Sequence, residues 1–345
     1  MSLRSSYVLT VGIISYNRPT EILRTVRSLF PLPSNVEVLV CDDDSPLKLD
    51  IFKSLKDFFI YDNVRFVQNR VNLGYDGNLY NVIKQSSSQY VLLLGDDDYL
   101  EENALINLVD FIKNTENFYC GFLSYYDPAL KLRNRSYSRS QYFPKKKLET
   151  DGSFVFNSIL FSGLVFRRDA VIENRRILEK YMSSIYIQVA IFSILSCRYG
   201  SYFIEGCGVV VGGDGANGFG LNSSAGVNDT DLAIRNSIVS NLAYHKRLFK
   251  VLKLLEDDLK FNIFSVFIKE YNLRSIKALV RARNEGRNQL FLYWKELLKL
   301  DICFTKFLFP FFIILIVAPK CAFTRLFSLI EKFIILKRKN VTYDQ

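Results

Sequence analysis

The sequence predicts an α/β fold: a doubly wound, mostly parallel sheet with helices on both faces, followed by a helical C-terminal region. Two observations predict it. Over about the first hundred residues, β-rich apolar runs alternate with stretches of helical periodicity, in the order β-α-β-α-β-α-β. Three of the four strands in that series end in polar clusters, Ser15-Tyr16-Asn17, Asp42-Asp43-Asp44-Ser45 and Asp96-Asp97-Asp98. A parallel sheet gathers such carboxyl ends on one rim, where ligands bind.

Residues 7–15, YVLTVGIIS, form the first apolar run and break at YNRP. In PTEILRTVRSLF, Ile22, Leu23, Val26, Leu29 and Phe30 recur at helical spacing behind Pro19 and Thr20, which suit a helix start. VEVLVCDDDS gives a strand from Val36 to Cys41, VRFVQN a third strand, and YVLLLGDDDYL a fourth. Between the last two, NLGYDGNLYNVIKQSSS reads as a loop feeding a helix that begins at Asn78. Past residue 118 the pattern loosens. YCGFLSYYD, GLVFRRDAVIE and SYFIEGCGVVVGG carry strand signals, KLRNRSYSRSQYFPKKKLETDG reads as a basic loop, and GGDGANGFGLNSSAG is a glycine-rich loop. Residues 230–300 are helical in period, with Lys and Arg along one side.

The rim carries the chemistry. Adjacent carboxylates at a strand end repel one another, and a divalent cation relieves them; an all-oxygen donor set suits Mg²⁺ or Mn²⁺. Mg²⁺ takes one or two protein carboxylates and completes its shell with water and substrate phosphates, so GDDD predicts a diphosphate ligand. Asp42 and Asp43 can accept from a base N–H, Ser45 can meet ribose or phosphate, Tyr16 offers a ring face, and Asn17 a donor and an acceptor. Gly74 and Gly77 permit close backbone approach, and a helix opening at Asn78 favours anions at its amide end.

In their order and spacing, VGIISYNRP, VEVLVCDDDSP, NRVNLGYDGNL and YVLLLGDDDYL resemble the GT-A nucleotide-sugar domain of family 2 glycosyltransferases over roughly residues 7–105. The resemblance implies that Ser15, Tyr16, Asn17, Arg18, Asp42, Asp43, Ser45, Gly74, Asn78 and Asp96 bind the nucleotide-sugar, while Asp97 and Asp98 hold the metal. Its GDDD form is similar to members that build O-antigen and related surface polysaccharides, with a polyprenyl-diphosphate-linked saccharide as acceptor. The family commonly places an acid pair before a helix ending near a glycine. Counted back from Gly200 that pair falls on Gln188-Val189, neither of which takes a proton. Asp214, in GGDGANGFG, is the substitute base, and the outcome, inverting or retaining, stays open.

Composition bounds the alternatives. The chain has 345 residues, 49% hydrophobic and 23% charged, with net charge +10. Residues 1–120 hold 11 Lys+Arg against 16 Asp+Glu, so the remainder carries +15. An acidic metal-binding part followed by a basic part that meets phosphates or an anionic membrane is the natural reading. His245 is the one histidine, which excludes a Ser-His-Asp set with a choice of bases and a His-rich metal cage. The six cysteines show no C-x-x-C pairing and sit among apolar neighbours, as reduced buried thiols do. The expected compartment is the cytoplasm, at the inner face of the cell membrane, and no signal peptide is read at the start.

FLFPFFIILIVAP, residues 307–319, is uncharged but shorter than the ~20 residues a spanning helix needs, and Pro310 and Pro319 should interrupt it. With the basic RLFSLIEKFIILKRKN behind it, the segment reads as an interfacial anchor. The expected division is a glycosyltransferase domain at 1–225 (1–118 for the donor, 119–225 for the acceptor), a helical region at 226–300 and a membrane-associating tail at 301–345. Two rivals remain open. A sugar-phosphate nucleotidyltransferase would want a glycine-rich basic phosphate loop where SYNRPTE stands. A non-enzymatic basic membrane-binding protein has only the charge behind it, and no aromatic RNA-type motif points to nucleic acid.

Overall fold

A computed structural model of the chain describes residues 7–128, 131–135, 137–212, 240–300 and 302–317, with the backbone alone at 240–243 and 302–307. Two compact units are found, Met1–Asp229 with Val251–Ile263, and Thr230–Lys250 with Phe264–Gln345.

The first unit opens with β1 (Leu9–Ser15), α1 (Pro19–Ser28), β2 (Val36–Asp42), α2 (Lys48–Leu55), β3 (Val64–Gln68), α3 (Gly74–Gln85) and β4 (Tyr90–Gly95). It continues through β5 (Tyr99–Leu100), α4 (Ala104–Asn114), β6 (Cys120–Asp127), β7 (Leu132–Asn134), β8 (Gln141–Phe143), α5 (Lys147–Thr150) and α6 (Phe156–Ile159). β9 (Leu164–Arg167), α7 (Arg168–Glu173), α8 (Arg175–Leu178), α9 (Ile187–Tyr199) and β10 (Ser201–Val210) complete the series. One mixed sheet has the order β3-β2-β1-β4-β9-β6-β10-β5, with β7 on β6 and β8 on β10. β1 pairs in parallel with β2 and β4, β2 with β3, and β6 with β10. β9 runs antiparallel to both β4 and β6, so the long strands share one direction around a single reversed one.

Each face is covered for a reason visible in β1. Leu9, Val11 and Ile13 join the core that Ile22 and Val26 of α1, Ile51 and Leu55 of α2, and Leu105 and Leu108 of α4 build on one face. On the other face, a Cβ at Gly12 would lie 3.1 Å from Val82 of α3 and 3.1 Å from Val91. Gly12 is what lets α3 lie close on the sheet. α9 is buried from Ile187 to Cys197, as an all-round apolar helix must be.

The amino-terminal end of the parallel strands is closed by polar pairing. Glu37 is fully buried and accepts from the Thr10 hydroxyl at 2.6 Å, the Arg65 guanidinium at 2.6 Å and the Ser87 N–H at 3.0 Å. A buried charge so satisfied costs little to keep, whereas losing a partner would orphan it. The opposite end stays available for ligands.

The expected loop of KLRNRSYSRSQYFPKKKLETDG instead contains β7, β8 and α5. Alternation in LRN and QYF is too short to register as strand, and pairing to β6 and β10 supplies the missing signal.

In the second unit, helices run at Ser240–Leu259 (its 251–259 part in the first unit), Ile263–Glu285, Arg287–Leu298 and Ile302–Val317. Pro310 lies inside the last helix rather than interrupting it. Trp294 stacks on Phe312, ring centroids 4.3 Å apart, and Leu308, Phe312 and Leu315 are buried, so tertiary packing outweighs the lost backbone bond. No described helix is long and apolar enough to cross a membrane.

Candidate active site

The strand order reverses between β1 and β4: the chain moves from β1 to β2 and β3 on one side, then returns to β4 on the other. In open α/β sheets ligands bind at such a reversal, outside the carboxyl ends of the strands. After β1, Asn17 takes a left-handed conformation, φ 58°, which Asn tolerates better than most residues. Arg18 then sits at φ −132° and ψ 63°, neither helical nor extended, before Pro19, and becomes the N-cap of α1. These two backbone states turn the Arg18 side chain towards the end of β4.

There, Nη1 of Arg18 donates to Asp96 Oδ1 at 2.8 Å and to Asp97 Oδ2 at 2.9 Å. Thr25 of α1 donates to the Asp96 carbonyl at 2.8 Å, fastening the acidic turn to the same helix. Burial pushes the Asp96 carboxyl up to about 7, against the pull of Arg18. For Arg18, burial opposes the charge, and Asp96 and Asp97 outweigh it and raise the pKa. Asp98 is held from another side. Ser162 donates to its Oδ2 at 2.5 Å while accepting the Gly95 N–H at 2.9 Å, and the Gly212 N–H reaches Oδ1 at 3.4 Å. Burial raises Asp98 to about 6.

The absent side chain of Gly95 leaves a cradle. A Cβ there would lie 3.1 Å from Asp98 Oδ2, 3.2 Å from Asp97 Oδ1 and 3.2 Å from Ser162 Oγ. Two carboxylate oxygens and a hydroxyl thus converge, a donor set that fits Mg²⁺ or Mn²⁺ completed by substrate oxygens. Among the described residues no group of three or more His, Cys, Asp or Glu side chains is gathered to hold a metal by itself.

The remaining sequence candidates line the rim but are occupied in building it. Asp42 is fully buried, and both its oxygens accept from Ser45, one from the hydroxyl and one from the N–H at 3.0 Å. Ser45 Oγ in turn accepts the Asn17 N–H at 2.8 Å, and Asn17 Oδ1 the Leu47 N–H at 3.3 Å, joining the β1 and β2 loops. Asp43 Oδ1 accepts from Asn69 and from the Leu73 N–H, each at 2.8 Å, holding the loop that enters α3. Burial raises both carboxyls. Ser15 is buried and Tyr16 half-buried. Gly74, at φ 69°, opens α3, so the helix starts one turn earlier than Asn78. Asn78 lies in its second turn, with its amide on the Cys41 carbonyl at 3.1 Å and its Oδ1 accepting from Asn69 at 3.0 Å. The early start follows from Gly77, whose missing side chain admits Leu73 beside the first turn. Asp214 lies outside the described residues.

Three residues escaped the sequence reading. Ser162 follows α6 with no motif around it. Arg135, buried, donates to the carbonyls of Ser162, at 2.7 Å, and of Leu160, and so fixes the loop that presents Ser162. It was hidden in what read as a basic loop. Asp76 stands within NLGYDGNL and accepts the N–H groups of Ile185 at 2.7 Å and Ile187 at 3.2 Å, capping α9 from α3. The segment it holds is strained, with Ser183 at φ 67° and Ile185 at φ 65°. Burial raises Asp76 to about 6. Gln188, where the family places an acid, donates instead to the Ile159 carbonyl at 2.7 Å.

The sequence model described as Glycosyl transferase family 2 matches residues 10–174, the span holding every rim residue named above except Gly212. No curated protein matches. Among solved structures, S. aureus TarS 1–349 is similar at 15% identity and TM-score 0.49, covering 83% of each chain. S. aureus TarS at greater length aligns at 15% identity and TM-score 0.48 over 81% of this chain and 44% of that one. The 1–349 form in complex with UDP aligns at 16% identity and TM-score 0.46 over 79% of each. Residues 10–174, a little under half of the chain, thus match family 2 glycosyltransferases, and they hold β1 to β4 with the acidic rim at the switch point.

Proposed function

We propose that the chain transfers a sugar from a nucleotide-sugar to a polyprenyl-diphosphate-linked saccharide in the synthesis of a surface polysaccharide, with Mg²⁺ or Mn²⁺ at Asp97 and Asp98. The observation that carries this reading is the convergence of Arg18, Asp96, Asp97 and Asp98 at the carboxyl ends of β1 and β4. A leaving nucleoside diphosphate needs positive charge at its phosphates, and a bound divalent cation supplies it as a Lewis acid. Asp97 Oδ1 and Asp98 Oδ2 would hold that cation, with Ser162 and the Gly212 N–H fixing the Asp98 carboxylate. Ser15, Tyr16, Asn17 and the Asp42–Ser45 turn would shape the nucleoside end of the rim. Asp43 and Asn78 would act by holding the loop that opens α3. Gln188 cannot take up a proton, so the acceptor hydroxyl needs another base, and Asp214 is the proposed one.

A lipid-linked acceptor requires the enzyme to work beside a bilayer. On the helix Ile302–Val317, Phe309, Ile313 and Val317 recur at i, i+4 and i+8 and are exposed. That stripe, opposite the buried Leu308, Phe312 and Leu315, supports interfacial attachment at the inner membrane face.

The test is a panel of UDP-, GDP-, CDP- and dTDP-sugars assayed for donor hydrolysis in EDTA and after adding back Mn²⁺. Hydrolysis of one donor class, lost in EDTA and restored by Mn²⁺, is expected. Indifference to metal with every donor would overturn the metal assignment, and inertness towards all of them the donor class.

A further inference from the structure

We infer that Arg18 is a built-in counter-cation that keeps free divalent metal off the acidic rim, so that metal enters together with the nucleoside diphosphate. The inference rests on the metal reading above. A single nitrogen, Nη1, bridges Asp96 Oδ1 and Asp97 Oδ2 at 2.8 and 2.9 Å. The side chains are 13%, 10% and 20% exposed for Arg18, Asp96 and Asp97, so the pair is sheltered from the screening that weakens surface ion pairs. Backbone geometry preorganises it, through left-handed Asn17 and the N-cap position of Arg18 ahead of Pro19. Asp97 therefore gives one oxygen to the guanidinium while its other, Oδ1, faces the Gly95 cradle with Asp98 Oδ2.

A metal ion arriving alone meets a carboxylate already neutralised and a fixed positive charge beside it. A metal ion arriving on a diphosphate brings an anion that competes for the same guanidinium, because planar fork-shaped donors pair readily with phosphate. Arg18 then passes from the carboxylates to the phosphate and frees Asp97. Each partner's binding is thus made easier by the other's, a coupling that is reciprocal by linkage.

The experiment measures Mn²⁺ binding by electron paramagnetic resonance and calorimetry on the full chain, without donor turnover. Arg18→Gln removes the charge and keeps a donor; Arg18→Lys keeps the charge. Without nucleotide, Arg18→Gln is expected to bind Mn²⁺ at least ~10-fold more tightly than wild type, about 1.4 kcal/mol, with Arg18→Lys staying near wild type. With saturating UDP as the diphosphate probe, the gap between Arg18→Gln and wild type should shrink. If repulsion between Asp96 and Asp97 prevents Arg18→Gln from folding, Arg18→Gln/Asp96→Asn removes one charge of each sign and should show the same tightening. Equal, measurable Mn²⁺ affinities in wild type and the neutral variant overturn the counter-cation role alone. Absence of Mn²⁺ binding in every variant, with or without UDP, overturns the metal reading as well.

Discussion

Asp97 and Asp98 are neighbours in sequence that do different work. Asp98 is locked by Ser162 and the Gly212 N–H, whereas Asp97 is the more exposed and divides its oxygens between Arg18 and the Gly95 cradle. Asp97→Asn should therefore lower transfer at least ~10²-fold, since metal stabilisation of a leaving diphosphate is worth several kcal/mol. Steady-state rates with the donor found in the panel read this directly, and an active variant removes Asp97 from the metal. Asp214→Asn should depress turnover with little change in donor Kd, because a base acts on the acceptor; unchanged turnover leaves Asp214 a loop residue. The acids on the rim were legible because each follows an apolar strand. Their partners were not: Ser162 and Arg135 reach the site only through the reversed strand β9 and a basic stretch, and no local pattern announces such long-range contacts. Asp42, Asp43 and Asn78 show the opposite limit, since a polar residue at a strand end or helix start can as well hold the loop together as touch the ligand.

Among the elements, α3 lies close on β1. Its Val82 lies where a side chain on Gly12 would point, so Gly12→Val forces the helix away from the sheet. Overpacking of this kind costs about 1–3 kcal/mol, readable as a lower denaturation midpoint with unchanged slope. Because α3 also presents Asp43's loop and Asp76, activity should fall with stability rather than independently of it. The helices of the second unit make a separate prediction through His245. Burial pushes its pKa down to about 4, and the ring sits beside the Tyr271 hydroxyl with Nδ1 2.5 Å away. Above pH ~6.5 the imidazole is neutral in both folded and unfolded chains and costs nothing. As pH falls from about 6.5 towards 4 the unfolded chain takes up the proton first, so stability falls by up to ~3 kcal/mol across that window. As the one histidine, it can be followed by NMR without assignment, and a titration midpoint near 6.5 would contradict its burial. Helical period and length made these helices readable in advance. Pro310 departs from expectation because the sequence shows the lost backbone bond and hides the Trp294 and Phe312 stack that compensates for it.

For the molecule as a whole, attachment to a bilayer has to be separated from folding. Removing residues 301–345 takes away the Phe312 that stacks on Trp294, so a truncated chain should aggregate whether or not it binds lipid. Replacing the exposed Ile313, Ile314 and Val317 with Gln leaves the Trp294 contacts of Phe309 and Phe312 intact. Each side chain contributes roughly 1.5–3 kcal/mol when fully buried, and an interface buries only part of that. The triple variant should thus partition at least ~10-fold less into anionic vesicles, measured by co-sedimentation, with an unchanged thermal transition. Equal partitioning would place the attachment elsewhere.

The reversal of strand order at β1 has a further consequence, in the order in which the protein is made. Thr10 and its β2 partner Glu37 are 27 residues apart, whereas Arg18 and Asp96 are separated by 78. Closing the longer loop costs about 1 kcal/mol more in chain entropy, and during synthesis it must wait for β4 to leave the ribosome. A nascent chain that stops short of Tyr90 has its arginine but neither carboxylate, and has nothing to add as a next strand beside β1. The emergence of β4 therefore brings the second neighbour of β1 and the acidic turn together. Pulse-chase proteolysis of stalled chains should show protection of β1 rising only once residues beyond Asp98 are free to fold.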